Sequence, residues 1–149
     1  MPTTLFEAPP YDPKRERRRN TIILIAVATV VVLGILVYLF RNLPYERVVD
    51  HFFTAVENKE FEKAYAIWMN DPDWKQHPDR HPKYSFHDFY LDWGPGGEWG
   101  LIREHKIVGS AAPPNGGSGV VVVVKVNQRA EDARIWVERK DKTLTFSPY

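Results

Sequence analysis

Three regimes of apolar and polar positions succeed one another along the chain. Residues 1–20 show no hydrophobic period and contain four prolines. Such a stretch cannot bury enough surface to fold alone, so a disordered basic tail is expected there. Residues 21–40 read TIILIAVATVVVLGILVYLF and carry no charge. A helix of that length rises about 30 Å, the thickness of a hydrocarbon core, so a transmembrane helix is predicted. The competing reading is a buried helix of a soluble domain. It would need a protein able to cover every face of the segment, and this chain is too small for that. Residues 41–43 read as a linker and residues 44–149 as one separate domain.

Within residues 44–149 the period changes twice. Pro44 suits a first helical turn. Val48, Val49, Phe52, Phe53 and Val56 then recur at helical spacing, with Arg47, Asp50, Glu57 and Lys59 on the other face. Asn58-Lys59 is the expected break, after which Phe61, Ala64, Tyr65, Ile67 and Trp68 form a second stripe. Residues 73–84 are expected to be a polar loop. Ser85 and Asp88 have capping-box spacing, and Phe86, Phe89, Tyr90 and Trp93 follow at i, i+3, i+4 and i+7, which predicts a third short helix. The remainder reads as β: strands over 101–109, 120–127, 133–138 and 143–147, with turns at 129–132 and 140–142. Five consecutive valines in the second strand predict cover on both of its faces. Helices first and antiparallel strands last predict an α+β domain, three short helices packed on one face of a curved sheet of about four strands.

The stretch VVDHFFTAVENKEFEKAYAIW, residues 48–68, resembles the opening helix pair of NTF2-like (cystatin-like) domains. In those domains a hydrophobic helix, a short polar break and an x-x-Ala-Tyr second helix precede a strongly bent sheet. The whole chain also resembles short single-pass membrane proteins of bacteria. The resemblance implies a cone-shaped domain behind a signal-anchor. In that superfamily such a domain is an enzyme, a ligand carrier or an assembly module, so the fold does not by itself decide the function.

Charge sets the expected orientation. Lys14, Arg15, Arg17, Arg18 and Arg19 precede the apolar run, whereas Arg41 and Arg47 after it are offset by Glu46 and Asp50. The basic side stays in the cytoplasm, so this topology signal predicts an exported C-terminal domain. In a bacterium that is a single-pass protein of the inner membrane with a periplasmic domain. Cleavage as a signal peptide is disfavoured: the run exceeds an h-region, no small-x-small site follows it closely, and the Ala-x-Ala at Ala26 and Ala28 lies inside it.

The chain of 149 residues has a net charge of +1 and no cysteine. The charge argues against a dedicated nucleic-acid binder, which usually carries a large basic excess. The missing cysteine excludes disulfides, thiolate catalysis and a Cys zinc site. His87, Asp88, Tyr90 and Asp92 are the nearest approach to acid–base chemistry, but Asp88 is used as a cap, and His87 and Asp92 leave the apolar stripe. His77, His81 and His87 with Asp79 have no helix to give their spacing geometric force, so a solvated loop is the expectation. The run Gly94-Pro95-Gly96-Gly97-Glu98-Trp99-Gly100 lacks the Gly-Lys-Ser/Thr end of a phosphate loop and is expected to permit positive φ in a tight connection, the alternative being the rim of a pocket or interface. Trp74 and Trp99 fit no apolar stripe and are expected on the surface. Trp136 alternates with the inward positions of its strand and is expected on the opposite sheet face. These three tryptophans are the candidate interaction residues, since buried aromatic anchors dominate most interfaces. The expectation is a non-enzymatic accessory protein without cofactor or metal, whose partners are the lipid bilayer and another membrane protein or complex. The alternative is a pocket protein that binds a small hydrophobic ligand or acts as an isomerase or dehydratase.

Overall fold

The computed structural model describes residues 12–149. The chain divides into two units, one ending at Arg41 and one spanning Asn42–Tyr149.

Helix α1 spans Pro13–Phe40 and begins well before the apolar run. The Asp12 side chain accepts from the amides of Lys14 (2.9 Å) and Arg15 (3.4 Å), and Pro13 occupies the first turn. Those features satisfy orphan amides and preset φ, which is why the helix starts there. The basic residues from Lys14 to Arg19, expected in a disordered tail, are therefore helical; the expectation for residues 1–11 lies outside the described residues. No α1 residue is buried within the unit. Thr21 and Thr29 return their hydroxyls to the carbonyls of Arg17 and Ile25, 2.8 Å each. Both threonine hydroxyls of the apolar run are thus satisfied within the helix, as lipid demands. Among the described residues it is the helical segment long and apolar enough to cross a membrane.

The second unit is α+β. It contains α2 (Leu43–Glu57), α3 (Phe61–Trp68), two 3-10 turns at Trp74–Gln76 and Pro78–Arg80, and α4 (Phe86–Trp93). Strands β1 (His105–Ala111), β2 (Gly119–Val126), β3 (Asp132–Glu138) and β4 (Leu144–Phe146) form an open antiparallel sheet in chain order. The 3-10 turns lie in the stretch expected to be loop. The break between α2 and α3 is a Schellman motif: Glu60 N bonds Ala55 O and Lys59 N bonds Val56 O, each 2.9 Å, with Lys59 at φ 60°. The same motif ends α3 at Asn70, φ 47°.

The helices cover one face of the sheet. Val49, Phe52 and Phe53 of α2, Trp68 of α3 and Phe89 and Trp93 of α4 are buried against Val120, Val122, Val124 and Val126 of β2 and Ile135 of β3. Phe52 sits at the centre, within 5.0–6.1 Å of the rings of Phe53, Trp68, Phe89 and Trp93. The valine run is covered unequally. Its even positions are fully buried, but Val123 on the other face is half-exposed, because no helix lies there. Val121 is shielded on that face by its cross-strand neighbour Trp136.

Two local expectations are corrected. The β2–β3 turn lies at Asn127-Gln128 rather than 129–132: both residues have positive φ, 48° and 57°, and Arg129 N bonds Val126 O at 3.0 Å. Strand β1 starts at His105 rather than residue 101, because a side chain takes the place of a ladder before it. Asn127 Oδ1 accepts from the amides of Arg103 (2.8 Å) and Glu104 (3.3 Å), and its Nδ2 donates to Leu101 O (2.8 Å).

Candidate functional site

β4 is shorter than β3, and this mismatch makes the site. β3 pairs with β4 only over Ile135–Val137, and Ser147 N reaches Arg134 O at 3.1 Å beyond that. Asp132 and Ala133 keep their β2 partners, Lys125 and Val124, but have none in β4. A cleft of about 580 Å³ lies beside this open edge. Ala133 and Ile135 line it from β3, Phe146 from β4, Tyr149 from the residues after it, Trp93 from the end of α4 and Trp99 from the connection that follows.

The glycine-dense connection places Trp99. Two successive turns, Gly97 N to Gly94 O and Gly100 N to Gly97 O, each 2.9 Å, fold it back along α4. Positive φ, expected in this connection, is found within it at Gly100 (62°). Gly97 is needed for a different reason: a Cβ would stand 2.0 Å from the carbonyl oxygen of Asp92. The Arg129 guanidinium lies 5.3 Å above the Trp99 ring, and its Nη1 donates to Glu98 O at 3.0 Å. A cation over an indole face holds that ring in place. The charges lining the cleft are Glu98, Glu131, Asp132 and Arg134, with Asp132 Oδ1 paired to Lys125 Nζ at 2.9 Å.

The three tryptophans do not come together. Trp99 is half-buried on the cleft wall. Trp136 lies on the helix-free sheet face as expected, in register with Val121 and Thr145, with its ring 6.2 Å from that of Tyr149. Trp74 is not the exposed residue expected. Its ring stacks on Phe86 (5.1 Å), meets the edge of Tyr65 (4.9 Å) and donates from Nε1 to Glu62 O (3.3 Å). The 3-10 turn rotates it onto the helices, which no apolar period announces.

Other polar clusters are structural ties. Asp71, buried after α3, accepts from Arg80 Nη1 (3.0 Å) and Asp73 N (3.2 Å), and its Oδ2 lies 2.9 Å from His81 Nε2. The bond to His81 is the main reason its carboxyl is held below the usual range, followed by the Arg80 charge. His81 is thereby committed to the loop, while His77 and His87 are exposed. No group of three or more His, Cys, Asp or Glu suited to a metal ion occurs among the described residues. Tyr84 donates to Asp92 Oδ2 at 2.8 Å; burial first, and then that carboxylate, push its hydroxyl pKa up. This pair lies outside the cleft lining.

A polar seam between α2 and β1 was missed from sequence. Ser110 Oγ donates to Glu46 Oε1 (2.5 Å), and His105 meets Asp50 Oδ1 (3.0 Å) and Glu57 Oε1 (2.5 Å). The signal was present: Glu46, Asp50 and Glu57 fall on one helical stripe at i, i+4 and i+11. A second, shallower groove of about 570 Å³ lies at Phe61, Phe86 and Tyr90, flanked by paired charges such as Lys63 and Glu60.

No family model matches the chain, and neither the curated proteins nor the solved structures yield a match.

Proposed function

We propose that the chain is a non-enzymatic, membrane-anchored docking protein whose exported domain, NTF2-like in layout, binds a segment of another membrane protein or complex. The observation that carries this reading is the cleft: β3 runs past the end of β4 at Asp132 and Ala133, beside an aromatic wall. An extended segment laid there gains main-chain bonds from the strand edge and side-chain contacts from Trp99, Phe146 and Tyr149, the physics of strand addition. The helix pair before an open antiparallel sheet, with a bulge in β1 between Ile107 and Gly109, supports the NTF2-like assignment. The α1 anchor supports the rest, since it confines the domain near other membrane proteins at high effective concentration.

The test is gentle detergent extraction with identification of what co-purifies. Trp99→Ala removes a half-buried wall residue and should reduce recovery of the partner at least about tenfold, as expected for a hot spot. Circular dichroism should show the fold retained. Undiminished recovery with a folded Trp99→Ala protein would move the docking site elsewhere, and a deep-pocket ligand co-purifying in place of a protein would favour the carrier reading.

A further inference from the structure

The helical form of the basic stretch has a chemical consequence. At about 1.5 Å per residue, residues 21–40 fill the hydrocarbon core, and the helix from Pro13 to Asn20 projects about 12 Å beyond it. Interfacial layers are roughly 5–7 Å thick on each side, so Arg18 and Arg19 sit at the level of lipid headgroups, with Lys14 and Arg15 just outside. At about 100° per residue, Lys14 stands over Arg18 and Arg15 over Arg19, each pair on adjoining strips of the surface. All four side chains are exposed, and the ion pair in this stretch is a long one, Arg19 to Glu16 at 3.9 Å. Like charges at i, i+4 destabilise a helix that has no counter-anion between them.

We propose that the Lys14/Arg18 and Arg15/Arg19 pairs each clamp the phosphate of an anionic phospholipid, so that the helix extension is a lipid-selective collar as well as a topology signal. Two cations at adjoining positions complement one phosphodiester, and guanidinium groups bind its oxygens through paired N–H donors. Arg17 stands roughly 160° around the helix from Arg15 and Arg19 and flanks Lys14 at i+3 on the side away from Arg18, so it belongs to neither i, i+4 pair and contributes general attraction. The inference rests on α1 being a membrane anchor.

The full chain, reconstituted in phosphatidylcholine vesicles containing a minority of spin-labelled phosphatidylglycerol or spin-labelled phosphatidylcholine, provides the test. Electron paramagnetic resonance reads the fraction of each lipid immobilised by the protein, and protease protection reads insertion. The inserted wild type should prefer phosphatidylglycerol at least about fivefold, a preference that falls as salt is raised. Arg18→Gln with Arg19→Gln breaks both pairs and should remove most of the preference, leaving only the weak general attraction of the remaining cations; Arg17→Gln should leave most of it. Inserted wild type with no preference, or equal loss in the Arg17 variant, overturns the paired clamp. Failure of the wild type to insert overturns the anchor reading and the collar with it.

Discussion

Gly119 has no room for a side chain: a Cβ there would stand 2.2 Å from Cε2 of Trp136. Gly119→Ala must therefore displace a ring that shields Val121 on the helix-free face. Overpacking of this kind costs about 1–3 kcal/mol, read as a lower denaturation midpoint in mild detergent. The cost should shrink sharply in a Trp136→Ala background, because the obstructing ring is gone; equal cost in both backgrounds would refute the contact. Asp71 makes a second prediction, in pH. Its carboxyl is held below its ordinary value of 3.8, chiefly by the bond to His81. A lowered folded pKa means that the stabilisation is complete above the unfolded value and is lost as pH falls through the folded one. The protection of amides in residues 71–84, measured against their intrinsic exchange rates, should fall below about pH 4. Asp71→Asn should show low protection at neutral pH and little further change on acidification. Asp88, lowered by its bonds to Ser85, and Asp141, lowered by its bonds to Thr143, should add to the same acid sensitivity.

At the scale of elements, α2 is the member on which the others pack. Phe52 touches four other aromatic rings from α2, α3 and α4. Phe52→Ala should cost about 3–5 kcal/mol, a large share of the stability of a small domain, and would unfold it or lower its melting temperature steeply. Ser85→Ala removes one half of the α4 capping box and should cost about 1 kcal/mol by the same measurement. These helices were legible because each repeats apolar residues at helical spacing, and because Ser85 and Asp88 form the expected reciprocal cap. What was not legible has identifiable causes. The Asn127-Gln128 turn has positive φ without a glycine to announce it. The start of β1 is set by a side chain 24 residues away from Arg103. The cleft was illegible for a related reason: it exists only because β3 runs past the end of β4, a fact of pairing length that no local pattern carries. Trp99 could be singled out as an unpatterned aromatic; Trp74 could too, and there the same argument misled, because a 3-10 turn packed it onto α3 and α4.

At the scale of the whole molecule, the decisive quantity is which side of the membrane the domain occupies. Five cations from Lys14 to Arg19 precede the apolar run, and they are offset by Glu16 alone. Cations close to the span weigh far more than acids in setting orientation, so the domain is expected outside the cytoplasm. That placement gives the cleft its meaning, because only segments exposed on that side can reach it. A reporter active only outside the cytoplasm, fused after Tyr149, should therefore be active. Replacing all five cations with glutamine should lower its activity several-fold, with part of the population inverted. Replacing Arg18 and Arg19 alone should leave activity near wild type, because Lys14, Arg15 and Arg17 still bias the cytoplasmic side; the same double change is expected to remove most of the lipid selectivity. The two roles of the basic stretch are thus separable by measurement. An inactive fusion in the intact protein would invert the orientation and place the cleft in the cytoplasm. The partner would then have to be sought there.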